Sequence, residues 1–227
     1  MSESMNERKA REFSRRERDI LDSTLELLAG EHWETLSVDK IARHTGIGKG
    51  TVYKHFSCKD DIYACLLFED CQQMHEAFLT LAQDRSLSGL EQMRGMLLYA
   101  FEFHRDNVAH QHMHVHCKQR SFRERISPEY LEKLDVIDGQ LTEAFGLAVR
   151  NGIEEGDVNP AMSQEMMIAG MSATFEGAMI TLQEGGSCKH QMLETYEQKT
   201  EYINQVVDYM LAAITGRLTR PVEQGKP

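Results

Sequence analysis

The stretch Thr35-Leu36-Ser37-Val38-Asp39-Lys40-Ile41-Ala42-Arg43-His44-Thr45-Gly46-Ile47-Gly48-Lys49-Gly50-Thr51-Val52-Tyr53-Lys54-His55-Phe56 decides the fold of this 227-residue chain. Ser37 stands as an N-cap before a short helix over 38–44, with Asp39 in the first turn, where the helix dipole favours negative charge. Thr45-Gly46 ends that helix, because a glycine can take the left-handed conformation that turns the chain sharply. A third short helix follows over 49–56, with Ile47, Val52 and Phe56 as its inward positions. Upstream, Ile20, Leu21, Leu25, Leu27 and Leu28 recur at helical spacing and predict an amphipathic helix over 16–30, closed near Gly30. Two short helices joined by a tight glycine turn, behind a longer supporting helix, make a helix-turn-helix unit.

Charge singles out the same stretch. The chain carries a net charge of −11, yet residues 40–59 hold five basic side chains and not one carboxylate. A polyanion can dock on that window while the rest of the surface repels it. Hydrophobic residues make up 41% and charged residues 27%, the balance of a folded globular chain. The longest apolar run, 96–101, is far below the roughly 18 residues that span a bilayer. The charged N-terminus has no apolar stretch behind it to act as a secretory signal, so a cytoplasmic protein without membrane partners is expected. Five scattered cysteines, Cys58, Cys65, Cys71, Cys117 and Cys188, form no C-x-x-C pair and read as reduced thiols packed as small hydrophobes.

Beyond residue 59 only helical patterns occur, with breaks near 84–88, 106–107, 120–128, 152–160 and 184–189. The fold class expected is all-α. The expected divisions are a polar tail over 1–12, a helix-turn-helix domain over 13–58, a larger helical domain over 59–217, to which the resemblance described next assigns effector binding and dimerisation, and a second polar tail over 218–227. In the last helix Ile203, Val206, Val207, Met210, Leu211 and Ile214 form one apolar stripe. The helix before it is apolar on two faces, and a second copy of the chain is one partner able to cover the extra face.

Residues 35–56, running on into Ser57-Cys58-Lys59-Asp60-Asp61-Ile62, closely resemble the DNA-binding head of the TetR family of bacterial transcriptional regulators. The resemblance is specific over about 50 residues, from Arg16 to Leu66, and only architectural past residue 70. It implies a homodimer joined by its last two helices, a core cavity for a small-molecule inducer, and a ligand-responsive repressor of a double-stranded operator. The chain departs from the family at Gly48, where a small hydroxyl or amide residue is common, and Gly48 with Gly50 lowers helix propensity by roughly 1 kcal/mol per glycine relative to alanine.

Within the head, Lys49, Thr51 and Lys54 lie on the exposed face of the third helix, the element that enters a major groove, where lysine donates to guanine and threonine meets a thymine methyl. Gly50 lets the backbone come close to DNA. Ser37 and Lys59, at two helix starts, are placed to clamp phosphates, where free N–H groups already favour anions. By the resemblance, Tyr53 and His55 also touch phosphates.

Helical phase places Met93, Leu97, Phe101, His104, Leu141, Phe145, Met171 and Phe175 on the wall of an effector cavity suited to a small apolar or aromatic molecule. The small residues Ala169, Ala173 and Gly177, with Ile203, Val207, Met210 and Ile214, are assigned to the seam between subunits. His110, His114 and Cys117 fall within an arc of about 60° on one helix, a donor set that suits Zn, Cu or Ni, so a metal-responsive regulator stands as the alternative. Solvated or cavity-lining histidines explain the same cluster. A metal-dependent enzyme is the rival class, but the chain has no H-E-x-x-H, P-loop, nucleophile elbow or paired catalytic carboxylates, so no enzymatic activity and no cofactor are expected.

Overall fold

The computed structural model describes residues 5–30, 35–184 and 193–216. The tail over 218–227 and Cys188 lie outside them. The described residues form ten helices and no strand: α1 (Met5–Gly30), α2 (Val38–Thr45), α3 (Lys49–Val52), α4 (Lys59–Gln83), α5 (Gly89–Asp106), α6 (Val108–Cys117), α7 (Arg120–Arg123), α8 (Pro128–Glu155), α9 (Gln164–Glu184) and α10 (Tyr196–Thr215). No described helix is long and apolar enough to cross a membrane.

The chain divides into two units, residues 1–73 with 104–139, and residues 74–103 with 140–227. A single cut near residue 58 does not reproduce this division, because α6, α7 and the start of α8 pack with the helix-turn-helix. Met113, Cys117, Phe122, Leu134 and Ile137 share one buried cluster with Ile20, Leu21, Leu28, Ile41, Val52 and Phe56. In particular α6 packs along α1.

α1 begins well before residue 16. Residues 5–12, expected as a polar tail, are helical and exposed. Once the buried turns around Ile20 and Leu21 nucleate a helix, each added residue gains a hydrogen bond without a new nucleation cost, and Arg16 lies 3.6 Å from Glu12 one turn back. The region 120–128, expected as a break, holds the single turn α7, pinned by the fully buried Phe122.

The second unit has its own core. Met93, Met96, Phe101, Ala148, Val149, Met167, Met179 and Val207 are all buried there. The start of α5 meets α8 so closely that a Cβ on Gly89 would stand 2.1 Å from the Gly152 backbone nitrogen. Gly89 N–H also donates to Glu155 Oε2 at 2.7 Å. Asn151 Nδ2 donates to Gln92 Oε1 at 2.8 Å, giving two buried amides a partner. α9 packs on α10, whose start carries a capping box between Thr195 and Gln198.

The α10 stripe turns inward. Ile203, Val207, Met210 and Ile214 are each no more than 2% exposed within the chain itself. These four residues therefore have no surface to offer a second subunit, and their assignment to a seam is corrected: an amphipathic helix buries its apolar stripe against the nearest apolar surface, which here belongs to its own unit. Ala169, Ala173 and Gly177 are exposed on α9.

Candidate nucleic-acid interface

Local signals set the helix-turn-helix. Ser37 is extended (φ −121°, ψ 155°) and its Oγ accepts the Lys40 N–H at 3.3 Å. Gly46 takes φ 73°, and the Ile47 N–H reaches back to Ala42 O at 2.9 Å, closing α2 with a left-handed cap. Gly48 caps α3 without a side-chain hydrogen bond; its carbonyl accepts the Thr51 N–H at 2.8 Å. Regular helix stops at Val52, and single turns carry the chain to Phe56. Val52 and Phe56 are both 1% exposed, so this short, glycine-bearing segment is held by two side chains driven into the core and not by its own propensity.

This wedge presents Gly50, Tyr53 and Lys54 at the surface, with Thr51 half-buried beside them. Lys49 is also exposed, and its Nζ lies 3.1 Å from Asp39 Oδ2. Such an exposed pair is worth under about 1 kcal/mol and exchanges readily for a better acceptor. Ser37 is exposed at the start of α2.

Two of the expected contacts sit differently. The His55 side chain is 4% exposed; its ring lies 4.0 Å from that of Phe13, and Nδ1 is 3.7 Å from Glu17. Lys59 Nζ donates to Leu36 O at 2.9 Å and stands over the Tyr63 ring at 5.6 Å. Both side chains fasten the head together from the inside. Arg43, which the motif spacing did not single out, is exposed on α2 with its Nε donating to Asp39 O at 3.2 Å.

The turn after Lys59 is tied to the helices beyond the head. Asp60 is hydrogen-bonded to His116 Nε2 at 3.0 Å and accepts from Arg125 Nε at 2.6 Å. Asp61 Oδ1 accepts the Ser127 N–H at 2.8 Å. Burial alone would raise the Asp60 carboxyl, but the hydrogen bonds from His116 and Arg125 hold it below its ordinary range.

The described side chains of the histidine-rich helix α6 do not gather a metal set. His110 Nδ1 lies 2.7 Å from the Asp70 carboxylate, and the His114 ring lies 4.6 Å from that of His104. Among the described residues no group of three or more His, Cys, Asp or Glu side chains is placed to hold an ion. The shared arc of His110, His114 and Cys117 is correct in phase, but neighbouring helices draw their side chains to different partners. Burial pushes His104 down to about 4 and His114 well below its ordinary value, so both are neutral rings near pH 7.

Seven of the eight residues assigned to the effector wall come together in the second unit. Met93, Leu97, Phe101, Phe145 and Met171 are buried, and Leu141 and Phe175 pack against them. The rings of Phe101 and Phe175 are 4.6 Å apart. His104 is the exception and belongs to the first unit.

Residues 20–65 match the family model of the bacterial regulatory proteins, tetR family. The fatty acid metabolism regulator protein of Bacillus subtilis (strain 168) is 22% identical over 169 residues, which span 71% of this chain and 80% of that protein. An HTH-type transcriptional regulator of Staphylococcus aureus (strain USA300) is 34% identical over 76 residues, 34% of this chain and 40% of its own length. In fold, the transcriptional regulator FadR from Bacillus subtilis, solved in complex with stearoyl-CoA, superposes with a TM-score of 0.68 at 18% identity, covering 87% of this chain and 98% of that one. A head of 46 residues, counted from 20 through 65, thus matches the tetR family of bacterial regulatory proteins and leads a body with the same helical fold as FadR.

Proposed function

We propose that this protein is a homodimeric repressor that binds a palindromic duplex operator and leaves it when an apolar ligand enters the second unit. The observation that carries this is the short wedge of Lys49, Gly50, Tyr53 and Lys54, cationic and exposed, with Thr51 half-buried beside them and Val52 and Phe56 holding it from below. Such an element fits a major groove, with Lys49 and Thr51 at base edges and Tyr53, Lys54 and Ser37 at phosphates.

One head reads half a site, so tight binding needs two. The bare face of α9 supports a seam: Met166, Ala169, Ala173, Gly177 and Ile180 share one side of that helix, and Met166 and Ile180 are 68% and 47% exposed. Tyr209, Ala212 and Ala213 stand outward on α10 in place of its buried stripe.

The ligand is taken to be an apolar small molecule, because the second unit's core is built from methionine and phenylalanine. Since Bacillus subtilis FadR was solved with stearoyl-CoA, fatty-acyl compounds are the first probes. A tenfold loss of DNA affinity needs only about 1.4 kcal/mol of differential binding between two arrangements of the protein.

Selection of duplexes from a random-sequence pool by the full chain tests the reading. Enrichment of a two-fold palindrome is the expected result; recovery of no preferred sequence by folded protein rejects it. Adding stearate, stearoyl-CoA or a panel of aromatic compounds to the selected complex then measures release.

A further inference from the structure

α1 carries a second cationic surface that the helix-turn-helix does not include. Arg8, Arg11 and Arg15 recur at i, i+3 and i+7, which places them within an arc of about 60° on one side of the helix. All three are exposed, with Ala10, Glu12 and Ser14 beside them on the same open stretch of α1. Every residue from 5 to 15 is exposed, so this stretch of α1 contributes no buried side chain to the core. Residues 5–18 hold six basic and three acidic side chains within a chain of net charge −11.

The extension does not swing independently of the head. α1 runs without a break from Met5 to the buried Ile20 and Leu21. Phe13 packs against His55, and His55 follows Tyr53 and Lys54 directly. Along the helix axis Arg15 stands about 3 Å from Phe13 and Arg8 about 7.5 Å beyond it, and the turn of about 100° per residue sets the arginine stripe on the side of α1 away from the Phe13–His55 contact, facing solvent. A helical extension that is exposed throughout, presents arginines on one side and is anchored against the DNA-reading segment is complementary in charge to a polyanion passing that segment.

We propose that Arg8, Arg11 and Arg15 form an auxiliary DNA-binding surface that grips the sugar–phosphate backbone flanking each half-site. The proposal rests on the DNA-binding reading of the head and adds a distinct set of contacts to it. Arginine suits this task because its planar guanidinium donates two hydrogen bonds to one phosphate. Backbone contacts carry no sequence information, so the stripe raises affinity and leaves base preference to Lys49 and Thr51.

The test compares full-length wild type with the triple variants Arg8→Ala/Arg11→Ala/Arg15→Ala and Arg8→Lys/Arg11→Lys/Arg15→Lys. Alanine is the best helix former and these positions are exposed, so both variants keep α1 intact. Binding is measured by fluorescence anisotropy over a salt series, on the operator selected by wild type and on a random-sequence duplex of about 40 base pairs.

The alanine variant should bind both duplexes roughly ten- to a hundredfold more weakly at 0.1 M salt, with the slope of log K against log salt shallower by about 2 to 3. It should select the same operator. The lysine variant should keep the wild-type slope. An alanine variant with unchanged affinity and slope overturns the proposal even when wild type selects a clear operator, as does a weakened variant whose slope is unchanged. A lysine variant as weak as the alanine one also overturns it. If wild type selects no sequence, the operator reading fails, and the random duplex still decides the stripe by the same change in slope. Absence of binding to any duplex rejects both.

Discussion

His116 Nε2 lies 3.0 Å from Asp60 Oδ1, joining the histidine-rich α6 to the first turn of α4, one residue past Lys59. Both side chains are shielded from water, and Arg125 completes the set on the other carboxylate oxygen. Asp60→Ala removes the acceptor that His116 and Arg125 share. Unfolding by urea should show a loss of roughly 2–4 kcal/mol, with Asp60→Asn falling between wild type and Asp60→Ala because an amide oxygen still accepts one bond. A loss below about 0.5 kcal/mol would mean that the pair does not hold α4 in place.

Stability should fall on mild acidification because His104 and His114 are buried as neutral rings. Their folded pKa values lie below the ordinary value near 6.5, so the unfolded chain takes up protons first as pH falls. For His104 that window runs from about 6.5 to about 4, with a slope of up to about 1.4 kcal/mol per pH unit. Asp70 works the other way: burial raises its carboxyl against the pull of His110, and stability is lost as pH rises through the window between its unfolded and folded values. Asp60, held low, contributes stability above about pH 4 that disappears below it. Urea melts of His104→Gln between pH 4 and 7 should show a pH slope reduced by up to one proton; an unaltered slope would remove His104 from the explanation.

Lys54 and Lys59 should separate cleanly. Lys54→Ala changes an exposed side chain and should leave stability within about 0.5 kcal/mol while lowering the salt slope of DNA binding by about 1. Lys59→Ala leaves Leu36 O without its donor and should cost about 1 kcal/mol of stability, seen in thermal melts, before any effect on DNA. Asp39→Asn releases Lys49 from its carboxylate and should tighten binding to any duplex by a few-fold.

The proposed seam makes opposite demands on two positions of the second unit. A Cβ built on Gly177 meets nothing within 4 Å, so Gly177→Gln should melt like wild type yet sediment as a monomer at micromolar concentration and lose operator affinity. Met210 is 2% exposed inside its own unit, so Met210→Glu should unfold the chain and not merely dissociate a dimer. A Gly177→Gln variant that remains dimeric would move the seam elsewhere.

What the sequence alone determined is the local structure of the head. The N-cap at Ser37, the left-handed Gly46 and the inward Val52 and Phe56 depend on residues three to five apart, where chain geometry dictates which groups meet. The seven apolar residues that gather in the second unit were legible for a similar reason: helical phase places each on an inward face. The tertiary structure decided everything that depends on which surface lies opposite. His55 is enclosed because Phe13 and Glu17, about 40 residues earlier, pack over it, and Lys59 is drawn to a carbonyl 23 residues back. The α10 stripe had the right period in the sequence, but period shows only that a face is buried, and its own unit was the partner. His110, His114 and Cys117 share an arc by the same arithmetic, yet Asp70 from α4 and His104 from α5 draw two of them apart. Even the division of the chain followed packing: residues 104–139 joined the first unit because their apolar side chains found α1 and α4 there, a pairing that no local pattern encodes.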